Sequence, residues 1–386
     1  MKTLIKSLAG RLGLRPPEVS PAGYFPHYRS LAVPFAQSQD ARPNTLVFVL
    51  PIVSRGSGGI SDIVHVGQAL QRAEAIKVYY LLSHQQSLEA GRELLRWVAP
   101  DVDSAQVLDR LDFAPEYLCY TTWRTVYEAA ALPSRKKLYF VQDDESLFES
   151  AGVAQFYARH VFQLGLPLIT LGPWLVGHLR ALGCSAPMAS MPFPFSDELD
   201  LAPEQTRDTV AFYIQPDKVH RGSELLIEAA RLLSPCLQRE HPGVGISFFG
   251  SRINTHIAFE FPCEVHGVMD HAVLTRLLRR SRVGVSASFT NISLMPFRYV
   301  AAGAYGVDLD LPNVRLNIPE LALPAFRLAV PSAQALSAAV LEVLRSGTGT
   351  GAVQSAAHAL YQSNGWQACA SVFREWLIML NKVEVA

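Results

Sequence analysis

Four short segments of the 386-residue chain bring together residue types able to do chemistry. In SRGSGGISD, Gly56, Gly58 and Gly59 follow an apolar run and open a predicted helix. Free N–H groups and the positive dipole end at such a helix start suit an anion, and glycines let a phosphate or sugar approach the backbone. The spacing departs from G-x-G-x-x-G, since Ser61 stands where the last glycine belongs, and no G-K-[ST] follows. A tight strand-to-helix turn would use the same glycines. In KLYFVQDDESLF, Gln142, Asp143, Asp144 and Glu145 leave the end of a predicted strand. Clustered carboxylates there can hold sugar hydroxyls, act as a general base or bind a metal, whereas Asp144 or Glu145 can equally cap the next helix. In FYIQPDKVHRGSELL, Lys218, His220 and Arg221 lie at a helix start, where cations oppose the dipole unless a bound diphosphate reverses the penalty. In SFTNISLMPF, Thr290, Asn291, Ile292 and Ser293 precede a helix starting near Leu294 to Pro296. Ser293 is a good N-cap, and the N–H groups of 293–295 suit a phosphate. Asp308-Leu-Asp310 reads as strand and turn, and no histidine spacing argues for a metal.

Such loops need strands to hold them. Runs at 45–51, 76–82, 116–122, 137–142 and 167–172 are strand-sized and rich in β-branched or aromatic residues. Helical spacing falls between them at 60–74, 85–98, 122–131 and 148–163. The polar stretch 196–208 is a linker candidate, after which the rhythm restarts. Strands are expected at 209–214, 244–250, 263–267, 283–288, 305–309 and 326–330, and helices at 222–233, 270–280, 293–302, 332–345 and 366–380. This predicts an α/β protein of two doubly wound Rossmann-like domains facing each other across a cleft. The expected division is 1–44 as an amphipathic segment and connector, 45–200 and 201–365 as the two domains, and 366–386 as a final helix.

Lys plus Arg and Asp plus Glu are both 34, and zero net charge argues against a nucleic-acid partner. The five cysteines show no C-x-x-C pair, which fits a reducing cytoplasm. No apolar run has the length to span a bilayer. Leu4, Ile5, Leu8 and Leu12 share a helical face, with Lys2, Lys6, Arg11 and Arg15 mostly elsewhere. Residues 1–15 could therefore rest on the inner face of an anionic membrane, or simply pack on the protein or a partner.

Taken together, SRGSGGISDIVHVGQAL, CYTTWRTVYEA, LYFVQDDESLFESAG, FYIQPDKVHRGSELLIEA and SLMPFRYVAAG resemble the retaining GT-B glycosyltransferases. Within these, the chain is most similar to rhamnosyltransferases that build bacterial surface glycans, such as O-antigen, from dTDP-rhamnose. The resemblance implies a donor held by the second domain, a glycan or lipid-linked glycan acceptor held by the first, and no cofactor or metal. It implies that Gly58 and Gly59 lie under the donor diphosphate, that Arg221 neutralises it and that Ser293 and Leu294 donate to it; Lys218, Asn291 and Arg298 are expected beside them on the residues alone. Asp143, Asp144 and Glu145 would be catalytic, and Gln142 and Asp62 would contact acceptor or sugar. The final helix would return to the first domain. Two positions depart from the pattern: Gln215 replaces an arginine and Arg298 a glutamate. The rival readings are a non-catalytic module of the same fold that binds glycan or a partner transferase, and an epimerase or phosphorylase.

Overall fold

A computed structural model describes residues 33–73, 76–195, 207–250, 259–346 and 351–382. Residues 1–15 and most of the expected linker lie outside these. Strands β1 (Arg42–Val49), β2 (Lys77–Leu81), β3 (Val107–Leu108), β4 (Pro115–Tyr120), β5 (Lys136–Val141), β6 (Leu168–Leu171) and β7 (Met188–Met191) form the first sheet. Its order is β3-β2-β1-β4-β5-β6-β7, and every pairing is parallel. Helices α1 (Gly58–Arg72), α2 (Leu88–Val98), α3 (Trp123–Glu128), α4 (Val153–His160) and α5 (Pro173–Ala181) cover it. The period of two decides how: Leu46 and Phe48 of β1 enter one core while Val47 and Val49 enter the opposite one.

The second sheet holds β8 (Thr209–Tyr213), β9 (Gly245–Phe249), β10 (Glu264–Val265), β11 (Ser281–Val285), β12 (Tyr305–Leu309) and β13 (Phe326–Ala329). It is again parallel, in the order β10-β9-β8-β11-β12-β13. Around it run α6 (Ser223–Glu240), α7 (His271–Arg280), α8 (Met295–Ala301), α9 (Pro312–Arg315) and α10 (Ala333–Arg345), followed by α11 (Gly351–Asn364) and α12 (Trp366–Lys382). Two doubly wound domains are thus present, as the alternating pattern predicts.

The final helix lies on the first domain. Phe373 meets Phe48 and Phe140 edge-on, each at 5.8 Å between ring centroids, and Trp366 stacks on His65 at 4.8 Å. The chain crosses between domains at two adjacent points, tied where Phe195 N–H donates to Asn364 O and Asn364 Nδ2 to Phe193 O. The pattern missed β3, β7, α5, α9 and α11. Strand β7 reads MASM, without a β-branched residue, and β3 has only two residues. Helix α11 buries Val353, Ala356, Ala357 and Leu360, helical spacing weakened by two small alanines. Among the described residues, no helix is long and apolar enough to cross a membrane.

Candidate functional site

The glycine turn is built as the spacing suggests. Ser57 caps α1 by accepting from Ile60 N–H at 3.5 Å, and Gly56 has φ +78°, a conformation that other residues rarely adopt. A β-carbon on Gly58 would stand 3.9 Å from Leu294 Cδ1, and one on Gly59 would stand 3.0 Å from Gln142 Oε1. The turn therefore sits between the end of β5 and the turn leading into α8, at the seam of the domains. Gln142 Nε2 donates to Gly59 O at 3.1 Å, so its amide nitrogen braces the glycine turn.

Each carboxylate of the Q-D-D-E segment is committed to protein partners. Asp143, 6% exposed, accepts from Thr290 Oγ1 at 2.7 Å, Asn291 N–H at 2.9 Å and Asp144 N–H at 2.8 Å. Burial still pushes its carboxyl up, against the opposing effect of Arg221. Asp144 caps the following single turn through Ser146 N–H and accepts from Ser146 Oγ; it also bonds His178 Nε2 at 2.8 Å. Glu145 accepts from Trp123 N–H at 2.5 Å and Tyr139 Oη at 2.8 Å, and burial pushes its carboxyl up to about 7.

The cations converge from the second domain. Gly222, at φ +53°, turns the chain from the Val219–Arg221 turn into α6. Arg221 Nη1 donates to Asn291 O at 3.1 Å, and its Nη2 lies 4.0 Å from Asp143 Oδ2. Burial and the charge of Arg221 hold Lys218 below the ordinary lysine range. His220 falls to about 3, through burial first and then Arg221 and Lys218. Gln215, at the position where the resemblance has an arginine, is a buried amide whose Nε2 donates to Gly250 O at 3.4 Å.

The 290–294 turn corrects three expectations. The N-cap is Leu294 and not Ser293, although the Ser293 hydroxyl accepts from Met295 N–H at 3.2 Å. The Ser293 N–H donates to Ser288 Oγ at 3.0 Å and is not free for a phosphate. Asn291 also turns away from any diphosphate: its Nδ2 donates to Gln142 O and Leu171 O, both 2.8 Å away in the first domain. Its Oδ1 accepts from Asn317 Nδ2, while Asn317 Oδ1 accepts from Trp174 N–H. Sequence reasoning missed Asn313 and Asn317; their spacing of four beside α9 was the available signal.

One helical turn beyond Gly58 and Leu294 lie Asp62 and Arg298. Asp62 is 2% exposed, and among the described residues its Oδ1 has no hydrogen-bond partner. Burial pushes its carboxyl well above the usual range, partly offset by Arg298, which is half-buried across the seam. Asp308 does not face this site. It ends inside the second domain, accepting from Ser286 Oγ, Ser288 Oγ, Ser288 N–H and Leu309 N–H, while Asp310 pairs with Arg315.

No family model and no curated protein matches the chain. Solved structures do. The pneumococcal O-GlcNAc transferase GtfA, in complex with UDP and GlcNAc, superposes with a TM-score of 0.64 at 8% identity, over 88% of this chain and 99% of its own. Sucrose-phosphate synthase from Thermosynechococcus elongatus gives 0.62 at 11% identity, over 88% and 100%. HepE of Anabaena in complex with UDP gives 0.58 at 13%, over 88% and 100%. Two facing Rossmann-like domains with the last helix returned to the first are the GT-B fold, and this chain has it.

Proposed function

We propose that the protein is a glycosyltransferase that uses a nucleotide-sugar donor. The observation that carries this reading is the meeting, at one seam, of a glycine turn at the start of α1 with Arg221 and Arg298 from the opposite domain, Lys218 standing beside Arg221. A diphosphate is the ligand such a set suits: it offers oxygens to backbone N–H groups and offsets mutual repulsion among the cations. The fold-neighbours HepE and GtfA hold UDP, which supports the choice of ligand class. The donor favoured by the sequence resemblance is dTDP-rhamnose, and the acceptor a growing bacterial surface polysaccharide.

The chemistry follows from placement. Arg221 and Lys218 stabilise the charge that develops on the departing nucleotide, and the acceptor hydroxyl attacks from the same face. Leu294 N–H, unlike that of Ser293, is not engaged among the described residues and is assigned to a phosphate oxygen. Asp143, Asp144 and Glu145 act through the groups they hold.

The test is nucleotide release from dTDP- and UDP-sugars, with and without acceptor glycan. Release that depends on acceptor is expected. Binding without turnover would instead support a non-catalytic module, and acceptor-independent conversion of the sugar would support an epimerase.

A further inference from the structure

The seam between the domains is not a simple apolar contact. Asp143 of the first domain takes a hydroxyl and a backbone N–H from Thr290 and Asn291 of the second. Asn291 returns its amide hydrogens to Gln142 O and Leu171 O. Asn317 then links Asn291 Oδ1 to Trp174 N–H, and Asn313 Nδ2 donates to Ser288 O and Thr290 O, fixing the turn from behind. Asp143, Thr290, Asn291, Asn313 and Asn317 are each at most 6% exposed. Opening the domains would exchange the bonds of Asp143, Asn291 and Asn317 across the seam for bonds to water, each at a small net cost. Arg221 belongs to the same assembly, bonded to Asn291 O and facing Asp143.

From this we infer that Asp143 and Asn291 are positioning residues: they clasp the two domains at one angle and hold Arg221 and Leu294 opposite the glycine turn. The assignment rests on reading the seam as the nucleotide-sugar site. It goes further in stating that the site is assembled before the ligand arrives. Ligand enters along the seam without a hinge motion, and the affinity depends on how fully the clasp populates this geometry. A protein whose competent conformation is only partly populated binds its ligand more weakly by that fraction.

The test uses the full chain and UDP. Small-angle X-ray scattering of the wild type should give the same radius of gyration with and without saturating UDP. Asp143→Asn and Thr290→Val should expand without ligand, contract again with UDP, and bind UDP about fivefold more weakly, as expected when the competent state falls to about a fifth of the population. Thr290→Val keeps the side chain's shape and guards against a fold-wide failure. A double-variant cycle separates positioning from general destabilisation. If Asp143 acts by placing Arg221, the loss from Arg221→Ala should largely vanish in the Asp143→Asn background, whereas a merely structural role leaves the losses additive. Contraction of the wild type on UDP, variants of wild-type dimensions, or additive losses would each overturn the clasp. If wild type binds neither UDP nor dTDP, the nucleotide reading falls, yet the ligand-free dimensions of the variants still decide the clasp.

Discussion

Phe148 of the first domain and His220 of the second stack with ring centroids 4.1 Å apart and planes 16° apart. The imidazole thus closes one side of the seam, and burial first, then Arg221 and Lys218 beside it, hold it neutral. Phe289 N–H donates to His220 O at 3.2 Å, fixing the same loop to the turn that precedes Asn291. An aromatic contact and the polar clasp therefore brace neighbouring points of the same boundary.

That placement makes nucleotide binding a proton-linked event. His220 sits at about 3, against an ordinary 6.5, and part of the depression comes from Arg221 and Lys218. A diphosphate bound to those cations offsets their effect and raises the imidazole toward its ordinary value. Binding should then take up protons, and UDP affinity should rise as pH falls from the bound-state value, which burial keeps below 6.5, toward about 3. Calorimetry of UDP binding in buffers of differing ionisation enthalpy measures the uptake, which His220→Gln should abolish. Uptake unchanged in that variant would assign it elsewhere.

Glu145 gives a pH dependence of stability. Its carboxyl lies at about 7 in the fold, against an ordinary 4.5, with burial as the main cause. Because the folded value is raised, its contribution is fully present below about pH 4.5 and is lost as pH rises to about 7, a swing on the order of 3 kcal/mol. The melting temperature of wild type should therefore fall relative to that of Glu145→Gln between about pH 4.5 and 7, and the two should run parallel above about pH 7. A constant difference over that range would mean that the carboxyl ionises normally.

Arg221 is the cation most fully integrated into the seam. Arg221→Ala should weaken nucleotide-sugar binding by about 1.5–3 kcal/mol, the range for hydrogen bonds to charged groups. Calorimetry showing unchanged affinity for a nucleotide that the wild type binds would remove it from the site.

The sheets and the loops that carry the candidate residues were legible because strand cores here are continuous apolar runs and glycine or acidic residues mark their ends. What each loop residue bonds was not. Asn291 and Asp143 sit in segments that read as ligand-facing, and only the approach of the second domain reveals that they bond each other. Long-range pairing of this kind leaves no periodic trace. Helix α12 could have served either domain on spacing alone; the bond from Tyr117 Oη to Leu377 O, 260 positions apart, places it on the first. Helix α11 is different: its buried positions were periodic, and small alanines concealed them.

Arg298 and Asp62 supply the sharpest test of how the seam meets its ligand. Both lie one turn beyond the point where Gly58 and Leu294 approach, yet among the described residues Asp62 Oδ1 has no hydrogen-bond partner. If Arg298 serves the diphosphate, Arg298→Glu removes an attraction and adds a repulsion. Nucleotide-sugar affinity should then fall tenfold or more, about 1.4 kcal/mol. The same variant sets a second carboxylate near buried Asp62, so thermal stability should fall as well. Asp62→Asn separates the two effects. In the double variant the carboxylate repulsion is gone, and the melting temperature should recover toward that of Asp62→Asn alone. Affinity should remain low, because the ligand still meets a glutamate. Recovery of both would mean that Arg298 acts only by balancing Asp62. Tighter binding in Arg298→Glu itself would mean that the site prefers an acid there, as the sequence resemblance has it, and that the arginine is no part of donor recognition.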